Sequence, residues 1–164
     1  MRSTRAAALA ALTCTTALVL TGCSLLGADE PDRDEAGQIT EASDAGAFTL
    51  RVGDCLEPVN WGGEAAESFP VIPCAEEHES EIYASMLMDD GGFPGDAAVE
   101  EAATAFCEAE FASFVGTPWA ESALSYAFLV PSQQTWDEAD DREVLCLVVD
   151  PEGLVTGSLE GSAR

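Results

Sequence analysis

The chain has 164 residues, with 31 acidic side chains against six arginines and no lysine, and its formal charge at pH 7 is −25. A surface this negative repels nucleic acid and anionic lipid headgroups, which argues against both as direct partners of the folded part. The length allows one domain with a modest core.

The first 22 residues have the layout of a bacterial lipoprotein signal peptide. Arg2 and Arg5 precede an apolar stretch over 6–20, and the motif LTGC follows at 20–23. We expect cleavage before Cys23 and attachment of a diacylglyceryl lipid, with palmitate-type chains, to its sulfur. A transmembrane anchor is the weaker alternative, because this stretch would rise only about 22 Å as a helix against a hydrocarbon core of roughly 30 Å. An ordinary secreted protein is the second alternative.

Residues 23–47 begin with the lipidated cysteine and continue as an acidic stretch with few apolar residues. Gly, Pro, Ser and Asp/Glu dominate it, and no hydrophobic period is sustained. This composition predicts a disordered tether. The folded domain is then expected over 48–164.

The first elements of that domain are predicted to be strands. Phe48, Leu50 and Val52 alternate with polar residues, which predicts a half-buried strand. The stretch over 69–73 contains two prolines and is therefore expected at a sheet edge. A longer alternating run over 81–88 predicts a third strand.

A helix is predicted over 96–115. Val99, Ala103, Cys107 and Phe111 recur every four residues on one face. Acids occupy the first turns, where the helix dipole favours them, and Gly116 is expected to end the helix.

The last third of the chain predicts further strands. They are expected over 125–130 and 143–149, and the stretch 154–159 is expected to close a hairpin with the latter through the turn at 151–153. The stretch 143–149 is apolar on both faces, as in a central strand covered on both sides. Together the elements predict an α+β fold, with one long helix packed on a small, mainly antiparallel sheet.

Four cysteines remain after the signal and the lipidated residue are set aside. In an exported domain they predict two disulfides with three possible connectivities, and their order favours Cys55–Cys74 and Cys107–Cys146. A zinc site is the competing interpretation. It is disfavoured because there is no CxxC pair and only one histidine, and we predict no metal or cofactor.

That histidine, His78, is the first candidate for chemistry. It follows Cys74 within an acidic segment, and three roles are open: a catalytic base, a metal ligand, or a polar residue that holds a turn or contacts a partner. The chain has no GxSxG or HExxH motif, so we predict the third role and no enzymatic activity.

Arg142, Trp136 and Trp61 are candidate interaction residues. Arg142 could clamp a carboxylate ligand, but its acidic neighbours favour a local ion pair that holds its loop. The tryptophans could anchor an interface, with packing in the core or a loop as the alternative. The acidic run at 137–141 lacks the EF-hand pattern, which disfavours a specific calcium site.

An ordered set of motifs resembles the septum-formation-related domain family of actinobacterial membrane proteins and lipoproteins. The motifs, in chain order, are GDC at 53–55, VIPC at 71–74, His78 with Glu81, FPG at 93–95, Cys107, Trp136, DR at 141–142 and Cys146. One position departs, since Asp140 stands where the family tends to have glycine. The resemblance implies an extracytoplasmic accessory domain linked to cell division, with no established reaction.

The sequence therefore predicts a non-enzymatic envelope protein that is held by lipid and binds a division protein, another envelope protein or a wall component. Two alternatives stay open: a sensor that binds cations or a small ligand through the acidic surface, and a hydrolase that uses His78 on the envelope.

Overall fold

Antiparallel strands and one long helix organise the part of the chain that the structure, a computed structural model, describes: residues 30–58 and 68–164. The strands are β1 (Ser43–Gly46), β2 (Cys55–Leu56), β3 (Ser68–Ile72), β4 (Glu77–His78), β5 (Ser80–Leu87), β6 (Ser125–Leu129), β7 (Glu143–Val149) and β8 (Val155–Thr156). The helices are α1 (Asp96–Val115) and α2 (Gln133–Glu138), and 3-10 turns cover Ala47–Thr49 and Trp119–Glu121. Within these ranges six strands form one curled sheet in the order β1-β3-β2-β5-β7-β6, and β4 pairs with β8. The predicted α+β fold is confirmed.

The sheet has a hydrophobic core on each face, and β7 contributes to both. Val144, Cys146 and Val148 pack with α1 on one face, whereas Leu145 and Leu147 pack on the other, where the sheet curls over itself. Side chains of a strand alternate between faces, and an apolar strand can therefore fill two cores at once. The prediction of a strand covered on both sides is confirmed.

Helix α1 lies on the first core with the predicted bounds. Its fully buried residues are Val99, Ala103, Cys107, Phe111 and Val115. Gly116 adopts φ +90° and donates its N–H to the Ala112 carbonyl at 3.0 Å, a left-handed cap that glycine forms without strain. A bulge between Ile82 and Ala84 turns Tyr83 toward the helix. The Tyr83 hydroxyl donates to the Cys107 carbonyl at 2.6 Å, and burial raises its pKa.

Two disulfides fasten these layers. Cys55–Cys74 joins β2 to the turn after β3, and Cys107–Cys146 joins α1 to β7. Both predicted pairings are confirmed.

The predicted strand over Phe48–Val52 is wrong. Phe48 lies in a 3-10 turn, and Phe48 and Val52 are 59% and 51% exposed. The Asp54 carboxylate accepts the Arg51 N–H at 2.8 Å, and the Asp54 N–H returns to the Arg51 carbonyl at 3.1 Å. These local bonds compete with strand pairing, and a turn forms instead.

The expectation that the proline-rich stretch lies at a sheet edge is also wrong, because β3 pairs with β1 on one side and β2 on the other. Pro70 is tolerated for a geometric reason. Its carbonyl accepts from the Glu57 N–H, just after the end of β2. The nitrogen of Pro70, which has no hydrogen to donate, lies on the same side of the strand as this carbonyl, so no bond of the β1–β3 pair is lost.

The predicted hairpin between 143–149 and 154–159 is wrong, since β7 pairs with β5 and β6. Within 154–159, β8 pairs with β4, in the register Glu77 to Thr156. The buried Glu81 carboxylate in β5 holds the segment after β8, since it accepts from the Leu159 N–H and the Ser158 hydroxyl, both at 2.7 Å.

The structure also differs from the tether prediction over residues 30–47. Ile39 and Ala45 are buried, and β1 pairs with β3. The Arg33 guanidinium binds the Asp54 carboxylate through two bonds, at 2.5 and 2.8 Å. The folded part therefore begins upstream of Phe48. The predicted signal peptide, Cys23 and Trp61 lie outside the described residues.

Among the helices of the described ranges, none combines the length and apolarity that a membrane crossing needs.

Candidate functional site

An apolar pocket of ≈ 170 Å³ lies where the end of β6, the start of β7 and the turn after β1 meet. We call it the mouth site, because it opens the second core at one end of the curled sheet. Its apolar walls are Phe48, Phe69, Leu129, Val130 and Leu145, and its acidic side is Asp141 and Glu143. Open ends of curled or closed sheets are common places for ligands.

Two large apolar side chains are exposed here: Phe48 in the pocket wall, and Leu87 outside the lining but opposite its Glu143. Phe48 forms part of its wall and is 59% exposed. Leu87 is the cross-strand partner of Glu143 in the β5–β7 pair, and the two side chains therefore share one sheet face. Leu87 is 75% exposed. Exposed apolar groups around a pocket are typical of a surface that a partner covers.

The acidic side of the mouth site has no basic partner in the described part of the chain. Arg33, Arg51, Arg142 and Arg164 pair there with Asp54, Glu30, Asp140 and Asp150, respectively. Burial raises the pKa of Glu143, a Ser85 hydrogen bond opposes that rise, and the Asp141 charge adds to it. Asp141 in turn accepts the Glu143 N–H at 3.1 Å. The site thus presents negative charge against an apolar wall.

Helix α2, which the sequence analysis did not predict, forms the floor beside these acids. Ser132 and Thr135 line the pocket, and their side chains bond to each other's backbone N–H at 3.1 and 3.0 Å. This reciprocal capping starts a helix of six residues. The hydroxyls of Ser132 and Thr135 are therefore engaged in capping helix α2.

Trp136 and Arg142 lie behind this floor rather than in the pocket. Trp136 is 3% exposed and donates its indole N–H to the Gly91 carbonyl at 2.8 Å. The Arg142 guanidinium stacks 3.8 Å from the Trp136 ring centre and pairs with Asp140 at 3.1 Å. This is the local ion pair that the sequence predicts. Asp140 has φ +54°, a left-handed conformation that accounts for the glycine expected there from the resemblance.

His78 is fully buried in β4, away from the mouth site. Its Nδ1 lies 2.9 Å from the Glu76 carbonyl, and its Nε2 has no hydrogen-bond partner among the described residues. It is not among the residues that line the pocket. The histidine is thus placed as an interior residue of the two-stranded sheet.

One group of metal-type ligands occurs in the described ranges: Cys55, Cys74 and Glu81. The two sulfurs are joined as a disulfide, so they cannot act as thiolate ligands in this state. The Glu81 carboxylate already accepts two hydrogen bonds from the closing loop. These three residues therefore stabilise the fold, through the disulfide and the hydrogen bonds to the segment after β8.

Replacing Glu143 with Gln is expected to stabilise the domain at pH 7 by about 0.5–1 kcal/mol, as removal of an unfavourable charge commonly does. Because the pKa of Glu143 is raised by folding, its protonated form favours the folded state. This contribution to the free energy of unfolding is fully present below the pKa of an unfolded glutamate, and it is lost as the pH rises through the pKa of Glu143 in the folded protein. The gain should therefore vanish below about pH 4. Thermal unfolding across this pH range measures it, with the exposed Glu160→Gln as control; equal effects of both changes would contradict it.

Comparison with known proteins gives these observations a context. The family described as Septum formation matches residues 52–164. LppN of Mycobacterium tuberculosis, which its name describes as a lipoprotein, is 33% identical over 114 residues, 68% of this chain and 62% of its own length. The membrane protein Rv3835 of the same organism is 28% identical over 109 residues, 60% of this chain and 24% of its own length. The chain thus spans less than two thirds of either relative. No solved structure matches it.

Proposed function

Because the chain belongs to the septum-formation family, we propose that it is a lipid-anchored, extracytoplasmic binding protein of the cell envelope, linked to septum formation, which holds a partner at the mouth site. The observation that carries the binding role is the open apolar pocket, whose acids have no basic partner within residues 30–58 and 68–164 and whose wall residue Phe48 is exposed. The names of the relatives, a lipoprotein and a membrane protein, support the location.

The proposed anchor is the lipidated Cys23, and it holds the domain near the membrane. Six residues lie between Cys23 and Glu30, and the seven steps from one to the other span at most about 25 Å when extended. The Arg33–Asp54 ion pair then fixes the following segment to the domain. A lipid, not surface charge, makes the attachment, since the acidic surface is repelled by anionic headgroups. If Cys23 is lipidated, mass spectrometry of the processed protein should show an increased mass for its amino-terminal peptide. An unmodified Cys23 would contradict the proposed anchor.

Binding without catalysis is proposed because the described residues that line the pocket include no nucleophile positioned beside a base. The Ser132 and Thr135 hydroxyls are occupied in helix capping, and His78 is buried elsewhere. General acid–base and nucleophilic mechanisms need such groups within hydrogen-bond reach of each other. The family description and the names of the relatives also mention no reaction.

Retention of envelope proteins by the purified mature domain tests this proposal. Phe48→Ser removes an exposed apolar group of the pocket wall and Leu87→Ser one opposite Glu143, and we expect each to reduce retention of a specific protein about tenfold without loss of stability. Leu154→Ser is the matched control, since Leu154 is 50% exposed outside the mouth site. Retention that is equal for all three variants would count against the mouth site as the binding surface.

A further inference from the structure

We propose, resting on the proposed function, that the mouth site recognises a polypeptide segment in which one apolar side chain lies next to lysine or arginine. The apolar side chain enters the pocket between Phe48 and Leu145, and the neighbouring cation pairs with Asp141 and Glu143. No described residue of the chain itself supplies either group.

The size and walls of the pocket favour one side chain as the occupant. A volume of ≈ 170 Å³ is close to the roughly 150 Å³ of an apolar cavity that binds benzene, and smaller than the about 300–1,000 Å³ of pockets for larger ligands. Phe69, Leu129 and Val130 offer no hydrogen bonds from their side chains. The hydroxyls of a wall sugar that lie against these side chains would lose their hydration without a partner, which is costly, since only the acidic side of the pocket can accept from them.

The charge around the pocket favours a cation beside that side chain. The described arginines pair with acids other than Asp141 and Glu143. Burial makes ionisation of Glu143 unfavourable, and a cation bound beside it removes part of that cost. The net charge of −25 also steers basic segments toward the domain at low salt.

The exposed apolar rim favours a polypeptide over a free amine. Phe48 lines the pocket yet remains 59% exposed, and Leu87, which lies outside the lining opposite Glu143, is 75% exposed. A chain that continues on either side of the anchor residue would cover both. Interfaces of this kind have a central anchor and surrounding contacts that exclude water.

Peptide binding to the mature chain with Cys23→Ser tests the inference, monitored by backbone amide NMR shifts. The probes are acetylated, amidated pentapeptides of sequence SKFKS, SKAKS and SEFES. We expect saturable binding of SKFKS with Kd on the order of 1 mM, shifts clustered at the mouth site, and binding at least about tenfold weaker for the other two. Phe48→Ser and Glu143→Gln should each weaken SKFKS binding about three- to tenfold, whereas Leu154→Ser should not.

Equal binding of the three peptides, or SKFKS binding that ignores Phe48→Ser, would overturn this recognition chemistry. Loss of envelope-protein retention in Phe48→Ser would then still support the proposed binding function, so the two claims fail separately. Weaker SKFKS binding at higher salt supports the cation, and salt-independent binding overturns it.

Discussion

Replacing Arg33 with Ala is expected to destabilise the domain by about 3–5 kcal/mol, because it leaves the Asp54 carboxylate buried without its partner. The two side chains are 8% and 1% exposed and bond through the two terminal guanidinium nitrogens of Arg33. Arg33 also donates to the Gly37 and Thr49 carbonyls, at 3.0 and 3.1 Å. Loss of the Arg33 side chain should therefore release residues 30–40 from the domain and loosen the turn that contains Phe48. Denaturant unfolding measures the first effect, and hydrogen exchange at Ile39 measures the second.

Arg51→Ala is the matched control for that change. Arg51 pairs with Glu30, but both side chains are more than half exposed, at 57% and 60%. Such a pair contributes about 0–1 kcal/mol. A similar, small effect of both substitutions would show that the Arg33–Asp54 pair does not hold the segment to the domain.

Removing the Cys107–Cys146 disulfide by a double change to Ala is expected to cost about 2–5 kcal/mol. The bond closes a loop with a sequence separation of 39 and joins α1 to β7 across the first core. Both cysteines are fully buried, so the substitution also leaves small cavities. Thermal and denaturant unfolding of the purified variant measure the loss.

The Cys55–Cys74 pair supplies the comparison. Its sequence separation is 19, and halving a loop lowers the entropic contribution of its closure by only about 0.6 kcal/mol. Its removal should therefore cost slightly less than removal of the longer link. Unchanged stability after removal of Cys107–Cys146 would mean that the contacts of α1 with the sheet hold the helix in place without the link.

Elements whose cause is local could be predicted from the sequence. Helix α1 follows from the four-residue recurrence of Val99, Ala103 and Cys107, and its end follows from Gly116. Strand β7 follows from an apolar run long enough to fill two cores. The order of the cysteines along the chain also predicts the disulfides, although only Cys55–Cys74 links successive parts of the fold, β2 and the turn after β3, and Cys107–Cys146 joins α1 to β7 past β6 and α2.

Elements whose cause is a distant side chain could not be predicted. Residues 30–40 have the composition of a disordered stretch, yet Arg33 binds a carboxylate 21 positions downstream. Local pattern does not contain that contact.

The candidate site shows the same limit. His78 and Trp136 attract attention in the sequence because histidine and tryptophan are rare in this chain, and the structure places both in the interior. The mouth site consists of common residues that become neighbours only when the sheet curls. One sequence signal for this site was available. Glu143 is the first residue of an otherwise apolar strand, where its carboxyl group is partly desolvated.

Photocrosslinking in intact cells tests most directly whether the mouth site holds a polypeptide partner. A benzoylphenylalanine is placed at residue 48 in the full-length protein and, as a control, at residue 154; both positions are at least half exposed, at 59% and 50%. We predict a discrete crosslinked species from residue 48 that is absent at residue 154 and lost with Glu143→Lys. The same products from both positions, or none from residue 48, would contradict the account.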